Sequence, residues 1–222
     1  TSLSIAFMES AGIFTGTYPG FITAGRASIS MVLFVLIALF KGRKLPYIIP
    51  AAGAVLLVLG RAMVSHSAAS HFLPKTSIAI NFIHLLFKDL WIGGVITLVF
   101  FVKDGFTEIN RRFTRIASLA LAMGGATGAY IVWLHLKSFE ELFDNAWGRI
   151  FSLMFILALP FAFLRFLPMF YKGLSEKKLR RFAYSEALLG ALILGITSIL
   201  ILTTPPLHRL EGWRAETRDE GV

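Results

Sequence analysis

Six times along this chain, a run of roughly twenty residues passes with few charges and mostly aliphatic or aromatic side chains. A helix of about twenty residues rises roughly 30 Å, the thickness of the hydrocarbon layer of a bilayer. Such runs leave few folds open. In hydrocarbon every backbone N–H and C=O must be satisfied by the protein, so a spanning segment is a helix or part of a closed barrel. Barrel strands alternate with a period of two, whereas these runs are continuously apolar, which sets the barrel aside. The expected fold is all-α: a polytopic transmembrane helical bundle of about six spans. The runs lie at about 21–40, 45–66, 77–102, 113–136, 147–170 and 182–202. Residues 1–20 read as an interfacial segment or the end of an upstream helix. Residues 21–206 read as the transmembrane domain and 207–222 as a charged extracytoplasmic tail.

Composition agrees: 56% of the 222 residues are hydrophobic and 16% charged, more apolar surface than a water-soluble core of this size can hide. The net charge is +9, and its placement decides what it means. Segments 41–44, 103–115 and 165–181 carry thirteen Lys and Arg; the opposite side carries seven. Basic residues gather on the cytoplasmic side of a membrane protein. The first side is therefore expected in the cytoplasm and both chain ends outside, in the cytoplasmic (inner) membrane. Lipid, not nucleic acid, is the expected partner. The absence of cysteine excludes disulfides, zinc thiolate sites and iron–sulfur clusters. No Gly-rich phosphate loop, serine nucleophile motif or paired catalytic carboxylates occur, so an enzyme is not expected.

One apolar run stands apart. Residues 81–94 carry Asn81, His84, Lys88, Asp89 and Trp91, and end in Gly93-Gly94. On a helix Asn81, His84, Lys88 and Trp91 fall three, four and three residues apart, on one face. Polar and ionisable groups at bilayer depth are costly and tend to face a protein interior or a polar path. His84 is expected roughly 10 Å below the outer end of its span, and Lys88 and Asp89 about 18 Å below it. Those two, with Glu186 in the last span, are candidates for a proton or ion path. Their bland alternative is a structural ion pair.

With this topology His66, His71, His84, His135 and His208 all lie in the outer half. His84 and His135 sit in successive spans at comparable depth, and Met154 enters the fifth span at a similar level. Imidazole suits both copper states and a thioether selects the softer Cu(I), so His84, His135 and Met154 form a candidate copper set. His66 and His71 bracket an outer loop and are candidate accessory ligands. Against each stands a plain structural role: hydrogen bonding between helices for His84, packing for Met154, solvation for the loop histidines.

Four pieces of sequence, in order, resemble the copper resistance protein D (CopD) family. They are His84-Leu-Leu-Phe-Lys-Asp-Leu-Trp91-Ile-Gly93-Gly94, Arg112-Phe-Thr-Arg115, Gly148-Arg149, and Arg181-Phe-Ala-Tyr-Ser185-Glu186-Ala-Leu-Leu-Gly190 with the terminal Pro205-Pro206. Together they cover about residues 77–206. Lys88-Asp89 departs from the small apolar residues usual in the family at that point. The resemblance implies a protein that handles copper at the extracytoplasmic face and moves it across the cytoplasmic membrane. An extracytoplasmic copper-binding protein or a larger membrane complex would be its partner.

The expectation is thus a membrane copper-handling protein with His84 and His135 as principal ligands. Met154, His66 and His71 assist, and Asn81, Trp91, Gly93 and Gly94 shape the site. Two alternatives stay open: a haem b electron-transfer protein with His84 and His135 as axial ligands, and a non-catalytic helical subunit of a larger complex.

Overall fold

A computed structural model describes residues 16–40, 46–65, 74–136, 138–170 and 174–203. Among the described residues seven helices follow one another: α1 (Tyr18–Leu39), α2 (Ile48–Met63), α3 (Pro74–Phe101), α4 (Phe106–His135), α5 (Glu141–Asp144), α6 (Ala146–Phe170) and α7 (Glu176–Leu202). There is no strand among the described residues. Five helices, α1, α3, α4, α6 and α7, are long and apolar enough to cross a membrane. The chain is a multi-pass helical membrane protein. In place of the run expected at 45–66, α2 is a shorter apolar helix of 16 residues. That is roughly 24 Å, less than the hydrocarbon thickness.

The chain divides into two compact units, 1–82 and 83–222, with the boundary inside α3. In the first unit, α1 starts at Thr17, whose hydroxyl accepts from Gly20 N at 3.2 Å. Its side chains Leu33 and Arg26 press on α2 at Gly53 and Gly60, where a Cβ would meet them. The start of α3 is tied to the end of α2 by Asn81 Nδ2, which donates to Ser65 Oγ at 2.8 Å.

The second unit holds the larger core. On α3, Trp91, Ile92, Val95, Leu98 and Val99 are buried at helical spacing, while Phe100 and Ile96 remain exposed. On α4, Phe106, Phe113, Ala117 and Ala120 answer them. The ring of Phe113 occupies the space that a side chain at Gly94 would need, so this ring of α4 lies directly against the α3 backbone there. Gly105 lies between the two helices with φ 65, a left-handed conformation in which glycine is unstrained. Arg180 of α7 fastens this turn. Its guanidinium lies 4.4 Å over the Phe106 ring and donates to Val102 O and Lys103 O. At the opposite end, Asn145 Oδ1 accepts from Gly148 N at 2.7 Å as α6 begins. A Cβ on Gly148 would collide with the Glu141 carbonyl, so glycine lets α5 lie against α6.

Two helices begin more than a full turn before their apolar runs. Residues 106–112 and 176–181, which read as cytoplasmic loop, are the first turns of α4 and α7. Charged residues at helical spacing carry them beyond the hydrocarbon: Glu108 pairs with Arg111 and Arg112, and Glu176 with Arg180. The fifth run reads as broken by Pro160 and Pro168, yet α6 passes both as one helix. Proline in a spanning helix costs a backbone bond that neighbouring groups can replace.

Candidate functional site

The intramembrane histidines come first. His84 Nδ1 lies 3.0 Å from the carbonyl oxygen of Gly124 and 3.3 Å from Thr127 Oγ1, both on α4. A Cβ on Gly128 would lie 3.2 Å from His84 Cε1, so the glycine makes room for the ring. A carbonyl oxygen can only accept, which puts the proton of the neutral ring on Nδ1. Its lone pair then sits on Nε2. His135, the last residue of α4, repeats the pattern: Nδ1 is 2.7 Å from Ile131 O. It is buried, stacked on Trp147 at 5.6 Å, and Trp147 stacks in turn on Phe151 at 5.4 Å. Trp147 is thus a buried platform beneath His135, while Trp133 is exposed.

The two rings are not together. His84 meets α4 at Gly124–Gly128; His135 lies eight residues past Thr127, roughly 12 Å farther along the axis. Met154 sits apart, between α6 and α7, with its sulfur taking Thr197 Oγ1 at 3.4 Å and its side chain against the apolar core. Among the described residues no three His, Asp or Glu converge on one point. His66 and His71, like His208, lie outside the described residues.

Deeper along α3, Lys88 and Asp89 pair with each other at 3.8 Å. Below them lies a densely hydrogen-bonded polar cluster. Glu186 of α7 is 1% exposed and Arg165 of α6 is 2% exposed. Arg165 Nε donates to Glu186 Oε1 at 2.9 Å, and Nη2 donates to Oε2, a two-pronged pair. Trp91 Nε1 donates to the same Oε1 at 3.0 Å. The remaining nitrogen, Nη1, donates to Asn110 Oδ1 at 2.9 Å and Thr114 Oγ1 at 3.3 Å, both buried on α4. Phe113 lies under the guanidinium at 4.8 Å, and Phe161 stacks on Trp91 at 4.2 Å. Four helices thus meet at one ion pair.

Arg165 is a correction to the sequence reading, which places it among the cytoplasmic loop cations. It stands inside α6, where the carboxylate of Glu186 compensates its charge. The signal was present: the charge falls within the apolar run 147–170. Without it the side expected in the cytoplasm still holds a clear excess of Lys and Arg. The partner of Glu186 is this arginine. Arg26 is a second intramembrane cation that pattern reading passes over. It lies along α1 beside Gly60, and its Nε is buried with no hydrogen-bond partner among the described residues.

The remaining candidates sort by neighbour. Trp91 belongs to the ion-pair cluster and Gly94 to the α3–α4 contact. Gly93 faces open space, and Asn81 bonds within the first unit. The stripe on α3 therefore serves several contacts in turn.

Residues 107–200, from the first turn of α4 almost to the end of α7, match the family model of copper resistance protein D. His135, Met154, Arg165 and Glu186 fall inside the matched segment; His84 and Trp91 precede it. No curated protein and no solved structure matches the chain.

Proposed function

We propose, from the match of residues 107–200 to copper resistance protein D, that this membrane protein binds copper on the outer side of the cytoplasmic membrane and passes it across. Copper is its cargo. One observation carries the assignment of residues: both intramembrane imidazoles hold Nδ1 on a backbone carbonyl, His84 on Gly124 and His135 on Ile131. Metal-binding histidines are typically oriented this way, with one nitrogen anchored and the other directed to the metal. Imidazole accepts both copper states, so neither oxidation state is selected by these two groups.

Because His84 is anchored near Gly124 and Thr127 and His135 at the end of α4, they act as successive stations instead of one cage. His135, at the end of its helix, receives the ion. His84 holds it next, a few turns deeper. His66 and His71 feed the first station, and Met154 offers a thioether to Cu(I) from the α6–α7 side. Below His84, Lys88 and Asp89 adjust the charge along the path. Glu186, fully engaged by Arg165 and Trp91, anchors the helices that flank it. No bond of a substrate is made or broken, and a copper-binding protein outside the membrane is the natural donor.

Copper per chain in the purified protein, measured by mass spectrometry after loading with Cu(I) or Cu(II), tests this. His84→Ala and His135→Ala should each lower the bound copper, and the double variant should lower it more. Unchanged copper in the double variant overturns the proposal. A Soret absorption band lost in either variant overturns it in favour of haem.

A further inference from the structure

Between α3 and α7 the surface of the second unit opens into an apolar groove of about 370 Å³. Ile92, Ile96 and Phe100 form one wall, Ala191 and Leu194 the other, and Phe161 of α6 lies at its base. The lining runs along α7 from Tyr184 to Leu194, roughly 15 Å, or half of a 30 Å hydrocarbon layer. Glu186 contributes its stem to the floor while its carboxylate is held inward by Arg165 and Trp91. The groove is therefore apolar in character along one leaflet's depth.

Its mouth is cationic. Following the groove face of α7 back from Tyr184 gives Arg181 after three residues and Lys177 after seven, both exposed. Across the mouth, α3 ends at Phe101 and exposed Lys103 follows. Arg180 donates to Val102 O and Lys103 O, which fastens the backbone of Lys103 to the first turns of α7. The neighbouring acids are Asp104, beside Lys103, and Glu176, which is held by Arg180 at 2.9 Å. Three exposed cations thus surround the end of an apolar channel.

We infer that this groove binds an anionic phospholipid, with one acyl chain between α3 and α7 and the phosphate at Lys103, Lys177 and Arg181. Lipid in general would cover the groove, but only an anionic headgroup uses the three cations. Basic pockets between spanning helices on the cytoplasmic side are known to take such headgroups. A second copy of the chain would bring like-charged mouths together, which electrostatics disfavours. The inference is independent of copper. It assigns a ligand to the α3–α7 surface, away from the histidines.

The full chain, purified in detergent, is examined by native mass spectrometry with phosphatidylglycerol or phosphatidylcholine of identical acyl chains. A single cation near an anionic headgroup is worth roughly fivefold, so with three cations phosphatidylglycerol should be retained at least about fivefold more strongly. The exposed triple variant Lys103→Gln, Lys177→Gln, Arg181→Gln should bring the two lipids to parity. Ala191→Trp, which fills the groove, should remove both. Arg112→Gln, exposed on α4 and not lining the groove, should change nothing. Equal retention by the wild type overturns the inference, as does a loss in Arg112→Gln as large as in the triple variant. So does a dimer that Ala191→Trp converts to monomer while lipid retention persists.

Discussion

Glu186 accepts three hydrogen bonds, two from one guanidinium and one from an indole, in a place where water does not reach it. The contributions are unequal. An interhelical hydrogen bond in a membrane averages about 0.6 kcal/mol and reaches about 1.7 kcal/mol. Removing one member of a buried ion pair costs about 3–5 kcal/mol, because the surviving charge is stranded. Trp91→Phe keeps an aromatic ring against Phe161 and loses a single donor, so its cost should stay near 1 kcal/mol. Glu186→Ala leaves the Arg165 charge without its counter-ion and should cost several times more. Arg165→Met combined with Glu186→Leu strands nothing and should recover most of that loss. Thermal unfolding of the detergent-solubilised variants orders them; Trp91→Phe proving as damaging as Glu186→Ala would refute the account. The same residues show what was legible. That Glu186 lies within an apolar run is visible in the sequence, but its partner is not, because Arg165 and Glu186 meet only when α6 and α7 fold back on each other. Arg165 was masked by its closeness to a truly basic loop.

At the scale of elements, hydrophobic runs locate helices well and end them poorly. The run at 113–136 marks where α4 is apolar, yet the helix starts at Phe106 because Glu108, Arg111 and Arg112 sustain its first turns in water. Likewise α7 begins at Glu176 and not at 182. Glycines show the same limit. Gly93 and Gly94 are equivalent in sequence, but one points to open space and the other onto the Phe113 ring. A side chain therefore has opposite effects at the two positions. Gly93→Ala should be neutral or stabilise α3 by up to about 1 kcal/mol, the helix-propensity gain over glycine. Gly94→Val must displace Phe113 or separate α3 from α4, an overpacking cost of about 1–3 kcal/mol. It would also disturb the Arg165 guanidinium, which rests on Phe113. Melting curves for the two variants check this: a loss at Gly93→Ala equal to that at Gly94→Val would show that the α3–α4 approach is not as described.

Across the whole chain, polarity is segregated along the helices of the second unit. Trp91 lies late in α3, Asn110 and Thr114 early in α4, Arg165 late in α6 and Glu186 early in α7, so antiparallel helices gather them toward one end. His84 enters α3 earlier than Trp91, and His135 closes α4, toward the other end. The distribution of Lys and Arg leads us to propose that the first end is cytoplasmic, because the turn at 102–105 and the start of α7 lie there with Lys103, Lys177 and Arg181. The proposed histidine stations require that orientation, since in that proposal copper reaches His135 from outside before it reaches His84. A chain without cysteine permits a direct test. Ser138→Cys, exposed just past α4, and Ser175→Cys, exposed just before α7, each introduce a single thiol. In intact cells a membrane-impermeant maleimide should label the thiol at position 138 and spare the one at 175 until the membrane is opened. The reverse pattern would put the histidine end in the cytoplasm, making His135 a port of exit, and would require copper to travel the other way through the same two imidazoles. Labelling of both positions in intact cells would contradict a turn and a helix end held on opposite sides by α4 and α6.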